Sequence, residues 1–109
     1  MSETSFRDRL RVVPQFRPDE YEKVRDSLFG RLDRRLSRWD PEEVELEISV
    51  KDRDTASQRV ALECWVPGAP KIVGTSTESD LDKAVVEARD DVWRQVDRFV
   101  TKRETKRRR

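Results

Sequence analysis

The sequence predicts an α+β domain of element order β-α-β-β-β-α, a four-stranded sheet with two helices packed on one face. Three observations predict it. Residues 44–50 and 60–66 alternate apolar with polar side chains, as half-buried strands do. Tyr21, Val24, Leu28, Leu32, Leu36 and Trp39, and later Leu81, Val85, Ala88, Val92, Val96 and Phe99, recur at helical spacing. Each of these elements has a single apolar side, which one shared layer would satisfy. At 109 residues the chain supports one small core.

The elements follow in order. Residues 1–9 are polar and are expected to fray as a flexible N-terminus. Leu10 to Phe16 is β-rich, and Pro14 near its end suits an edge strand or a bulge. Arg17-Pro18-Asp19-Glu20 resembles a helix start, with proline in the first turn and two acids at the positive end of the dipole. From there the stripe predicts one helix of about five to six turns, stopped by Asp40-Pro41. Gly30 falls in its exposed middle, where glycine costs about 1 kcal/mol relative to alanine. Val44 to Val50 and Val60 to Val66 form a hairpin across a polar turn at Asp52-Arg53-Asp54-Thr55. Pro67-Gly68-Ala69-Pro70 turns into a short fourth strand, Lys71 to Ser76. Ser79 then caps the second helix, with an acid three positions on. The domain spans residues 10–101, and residues 102–109 form a basic C-terminal tail. The expected core holds Tyr21, Leu28, Leu32, Leu46, Ile48, Leu62, Leu81, Val85, Val92 and Phe99.

The composition removes most catalytic chemistry. With no histidine, one cysteine and three glycines there is no His-based triad, no His/Cys zinc cage and no glycine-rich phosphate cradle. The acidic run Asp40 to Glu47 could offer carboxylates to a cation, but Glu45 and Glu47 alternate with Val44, Leu46 and Ile48 and read as the wet face of a strand. The expectation is a protein that is not an enzyme, with no metal, cofactor or small-molecule substrate. Cys64 reads as a small core thiol on a strand. A lone cysteine, no apolar span and no apolar leader segment point to a cytoplasmic protein that does not enter a membrane.

Charge is distributed unevenly. Lys102 to Arg109 holds six bases and one acid, so a net charge of +1 hides an acidic body. Such a run, Lys102, Arg103, Lys106, Arg107, Arg108 and Arg109, commonly forms a disordered arm that touches nucleic acid, or merely keeps a chain soluble. On the first helix, about 100° per residue places Arg31, Arg34, Arg35 and Arg38 on one flank with Lys23, and Glu22, Asp26 and Asp33 on the other. Segregation of this kind forgoes i,i+4 pairs worth about 0.3–0.5 kcal/mol each, so the basic flank reads as aimed at something negative. The second helix is mixed: Lys83, Arg94 and Arg98 share a side with Glu87, Asp90 and Asp91. Trp93 lies beside its apolar stripe, as a boundary residue covering the sheet or as a stacking platform for a base.

Taken in order, these segments resemble the ribosome hibernation-promoting factor and ribosome-associated inhibitor family, in its short form. The resemblance is carried by Arg31-Leu32, Arg34, Leu36 and Arg38-Trp39 closing the first helix and by Val60-Ala61-Leu62-Glu63-Cys64-Trp65-Val66-Pro67-Gly68. It continues in Ser79-Asp80-Leu81 through Ala84-Val85, Ala88 and Arg94-Gln95-Val96. It runs from about Leu10 to Lys102. It implies a fold similar to a double-stranded-RNA-binding domain, and a translation regulator that occludes the messenger and transfer RNA channel of the small ribosomal subunit under stress. The implied partner is ribosomal RNA, touched by Arg31, Arg34 and Arg38 of the first helix and Arg94 and Arg98 of the second, the protein being a monomer off the ribosome. The chain departs from the family at Val13-Pro14-Gln15-Phe16, where a glycine-basic-polar turn is usual, at Asp91, where a lysine is usual, and at Val86, where an acid is usual. The alternative is a stand-alone RNA-binding or protein-interaction module on the same scaffold, without ribosome binding.

Overall fold

The computed structural model describes residues 5–13 and 15–107, the last five as backbone alone. Leu10–Val12 forms β1, Tyr21–Leu28 α1, Leu32–Leu36 α2, Glu45–Lys51 β2, Arg59–Trp65 β3, Ile72–Ser76 β4 and Leu81–Arg107 α3. The four strands make one mixed sheet in the order β1-β2-β3-β4, with β1 parallel to β2 and the other pairs antiparallel. The α+β class and the order of elements are those the sequence predicts.

Alternation decides which side of the sheet is covered. Leu46, Ile48, Val50, Val60, Leu62, Cys64 and Ile72 are buried on one face with Leu10. Glu45 is exposed on the other, where Glu47 pairs with Arg11 at 2.7 Å and Glu63 with Lys71 at 2.8 Å. Helix α3 lies over β3 and β4, and α1 and α2 pack beside it. Leu28, Leu32 and Leu36 share one cluster with the strand residues and with Val85, Val92 and Val96. Of the expected core, Tyr21, Leu81 and Phe99 are half-buried at its margin, Phe99 stacked on Trp39 at 6.2 Å.

The single first helix of the sequence reading is corrected to two. Phe29 leaves α1 in extended backbone and Gly30 adopts φ +106°, a left-handed conformation that glycine alone takes without strain. The Gly30 N–H donates to Asp33 Oδ1 at 2.8 Å, anchoring the entry to α2. The reason lies in the spacing. Val24, Leu28, Leu32 and Leu36 are four residues apart, and each such step drifts about 40° around a straight helix. Re-starting the helix at Leu32 lets all four, and Phe29 as well, be buried.

Other corrections are local. Residues 6–9, expected to fray, form a 3-10 turn whose Arg7 Nη2 donates to Glu22 Oε1 at 3.0 Å and Asp26 Oδ1 at 2.9 Å. The cap of α3 is Asp80 rather than Ser79: the Lys83 N–H donates to Asp80 Oδ1 at 3.2 Å. Lys102–Arg107 extends α3 as helix, so the basic run does not begin as a separate disordered arm. Pro14, Arg108 and Arg109, and the side chains of Arg103, Lys106 and Arg107, lie outside the described residues.

Helix α3 also closes an edge of the sheet. Gln95 Nε2 donates to the Val73 carbonyl at 2.7 Å, the Thr75 N–H donates to Asp91 Oδ2 at 3.3 Å, and Ser76 Oγ donates to Glu87 Oε1 at 2.6 Å. These three side chains, four residues apart, occupy backbone and hydroxyl groups along the outer strand that would otherwise invite another strand.

Candidate nucleic-acid interface

The break at Gly30 swings the arginine-rich end of the α1–α2 segment against α3. Gly30, Arg31, Arg34, Arg35 and Trp93 line an open groove of about 350 Å³. Arg31 meets both Trp93 and Asp90. Its guanidinium carbon stands 4.6 Å from the centre of the Trp93 ring, and its Nε lies 3.2 Å from Asp90 Oδ1. Half of the side chain still meets solvent, 51% by area. Arg35 is more enclosed and pairs its Nη2 with Asp97 Oδ1 at 2.8 Å. Among the described residues its Nε finds no hydrogen-bond acceptor. Arg34 is exposed on the rim.

Part of the charge segregation is answered inside the molecule. Arg31 and Arg35 are aimed at Asp90 and Asp97 of α3, so two of the segregated arginines find their carboxylates on another helix. Arg89, which the sequence reading passed over, completes the seam. Its Nε and Nη2 donate to Asp90 Oδ1 at 3.0 and 2.8 Å, and its Nη1 donates to the Ser27 carbonyl at 2.8 Å. Its signal in the sequence was its place one residue from the apolar stripe of α3, facing the other helix. The guanidinium groups of Arg31, Arg34, Arg35 and Arg89 outnumber the carboxylates of Asp33, Asp90 and Asp97 by one.

The remaining candidates are dispersed. Lys23 stands apart from the arginines, its ammonium donating to Asp82 Oδ2 at 2.8 Å, and that bond holds its pKa above the usual lysine value. Lys83 is exposed at the start of α3. Arg38 is exposed over the Trp39 ring, its guanidinium carbon 6.0 Å from the centre. Arg94 lines a different depression, with Thr75, Glu87, Asp90 and Asp91, where the surroundings are acidic. Arg98 and Lys102 are exposed further along α3. Asp91, the acid that departs from the resembled family, takes the Thr75 N–H and so has a structural task at the sheet edge.

The carboxylates of the acidic run are similarly engaged: Glu43 accepts the Asp40 N–H at 2.9 Å and Glu47 accepts Arg11. Among the described residues no group of three or more His, Cys, Asp or Glu side chains is placed to hold a metal ion. Burial pushes the Cys64 thiol up to about 12, which leaves it protonated and unreactive at neutral pH. Among the same residues no helix is long and apolar enough to cross a membrane. No protein-family model matches the chain, and no curated protein matches it significantly.

Proposed function

We propose that this protein is a non-enzymatic regulator of translation that binds ribosomal RNA of the small subunit and acts by occluding the messenger and transfer RNA channel. The observation that carries the RNA-binding part is the groove between α2 and α3, where Arg31, Arg34 and Arg35 converge beside Trp93. Arginine suits this task because its planar fork offers five N–H donors. Arg31 spends Nε on Asp90 and keeps its terminal nitrogens for a phosphate, while the Trp93 face removes part of the entropy of ordering the side chain. The ribosomal partner rests on the resemblance of residues 10–102 to hibernation factors, and the cytoplasmic setting on the lone cysteine and the lack of an apolar span in the sequence. In this reading the action is stoichiometric, so inhibition tracks occupancy.

The test is co-sedimentation with small ribosomal subunits, together with inhibition of translation in vitro, at two salt concentrations. Arg31→Ala combined with Arg34→Ala should weaken binding by tenfold or more, at roughly 1 kcal/mol or more per charge-assisted contact. A melting curve checks the fold of the variant. Undiminished ribosome binding by the folded double variant would sink the proposal. A second reading, a protein-interaction module on the same scaffold, draws on the carboxylate partners that Lys23, Arg31 and Arg35 already have within the chain. It is favoured if the wild-type protein fails to co-sediment with subunits even at low salt.

A further inference from the structure

We infer that the groove between α2 and α3 receives one unpaired nucleotide of an RNA strand, its base stacked on the outer face of the Arg31 guanidinium and its phosphate held by Arg34. The inference rests on the RNA-binding reading above and goes beyond it, because arginines that serve only as phosphate contacts need no stacking surface. Three features point to a flat ligand rather than to a phosphate alone.

The first is the layer already in place. The Arg31 guanidinium carbon stands over the Trp93 ring, 4.6 Å from its centre, and the side chain remains 51% exposed. A planar guanidinium held over a ring can offer its other side to a second π system, and the ion pair of its Nε with Asp90 at 3.2 Å restrains it. The second is the open space at Gly30, which lines the groove with Arg31: a Cβ built there would meet nothing within 4 Å beyond its own chain neighbours. The groove's volume of about 350 Å³ lies at the small end of the about 300–1,000 Å³ of ligand sites, the scale of one nucleotide.

The third is the polar setting. Asp90 and Asp97 pair with arginines of this seam, and Asp33 lies between Arg31 and Arg34 in sequence. Asp90 is taken by Arg31 and Arg89, Asp97 by Arg35, and Asp33 by the Gly30 N–H. That leaves Arg34, exposed on the rim, as the cation placed to take the phosphate that follows the base. Base stacking on a flat platform is tolerant of sequence, so the site selects an unstacked base over a paired one rather than one base over another.

The experiment uses the full chain and short RNA oligonucleotides carrying a central 2-aminopurine, with fluorescence quenching reporting stacking and anisotropy reporting affinity. Matched oligonucleotides with an abasic residue at that position, the same sequence in a duplex, and adenosine monophosphate form the other arms. Expected are quenching on binding, roughly tenfold weaker binding of the abasic strand and of the duplex, and still weaker binding of the free nucleotide. Arg31→Lys, which keeps the charge and loses the plane, should cost roughly tenfold on the base-bearing strand and clearly less on the abasic strand. Arg34→Ala should weaken both strands alike. Equal affinity for the base-bearing and abasic strands, binding of adenosine monophosphate as tight as that of the strand, or an Arg31→Lys variant indistinguishable from wild type would overturn the inference, as would no binding of any oligonucleotide. Co-sedimentation of the wild-type protein with small subunits, run alongside, keeps the two readings apart. Ribosome binding retained without base dependence rejects the nucleotide slot alone.

Discussion

A single missing Cβ sets how closely α3 approaches the sheet. At Gly74 an added methyl would press on the Ala88 carbonyl oxygen and stand 2.8 Å from Val92 Cγ2 and 2.9 Å from Val92 N. Two of these atoms belong to the helix backbone and cannot rotate away. Gly74→Ala is therefore expected to destabilise the protein by about 3 kcal/mol, read as a lower denaturant midpoint, whereas an unchanged midpoint would mean that α3 can lift off β4 at little cost. A second residue-scale device joins the hairpin turn to the start of α1. Arg53 Nη1 and Nη2 donate to Glu20 Oε1 and Oε2 at 2.8 and 2.6 Å, with side chains only 15% and 24% exposed. The Arg53 hydrogen bonds, reinforced by the Arg17 N–H, lower the Glu20 pKa from 4.5 to about 2. Because the folded value is the lower one, the stabilisation is complete above about pH 4.5 and is lost as pH falls toward 2. Glu20→Gln should remove on the order of 2 kcal/mol at pH 7 and flatten the dependence of stability on pH across that window. Parallel acid limbs for the two proteins would show that the pair is not what fails in acid.

At the scale of elements, Gly30 separates two accounts of the same residues by the sign of one substitution. In the middle of a continuous helix, Gly30→Ala would stabilise by about 1 kcal/mol. At φ +106° it should instead cost about 1–2 kcal/mol, although nothing stands within 4 Å of the new methyl. Thermal and denaturant melts decide between them, and a stabilised variant would restore the unbroken helix. The strands, the two apolar stripes and the single covered face were legible in the sequence because each depends on side-chain period alone. The break was not, because a stripe with four-residue spacing looks the same whether a helix drifts or is re-started. The same limit applied to the site. A helical projection places Lys23 on the flank of Arg31, Arg34, Arg35 and Arg38, yet it cannot show that Lys23 turns to Asp82 while Arg31 and Arg35 turn to Asp90 and Asp97. Those partners lie more than fifty residues away in the chain, so no local pattern encodes them. Trp93 was visible as a residue beside its stripe; that Arg31 would cover it depended on how two helices meet.

Across the whole molecule, α3 carries both the stability and the charge that a polyanion would feel. Among the described side chains its last buried one is Val100, and the helix backbone runs on to Arg107 with Lys102 already exposed. Residues Lys102 to Arg109 hold six bases and one acid, and without them residues 1–101 carry a charge of −4. The eight residues from Lys102 onward therefore reverse the sign of the chain. A variant ending at Thr101 should keep the wild-type melting behaviour to within about 0.5 kcal/mol. Its binding to small ribosomal subunits should weaken at low salt and, above all, lose salt dependence, by about 0.7–0.9 in the slope of log affinity against log salt for each phosphate no longer neutralised. The groove of Arg31, Arg34 and Arg35 is untouched by this deletion, so binding at high salt should differ less between the two proteins than binding at low salt. Co-sedimentation across a salt series measures both quantities. Equal slopes for the truncated and full chains would place the six bases away from the RNA and leave the groove as the whole of the contact.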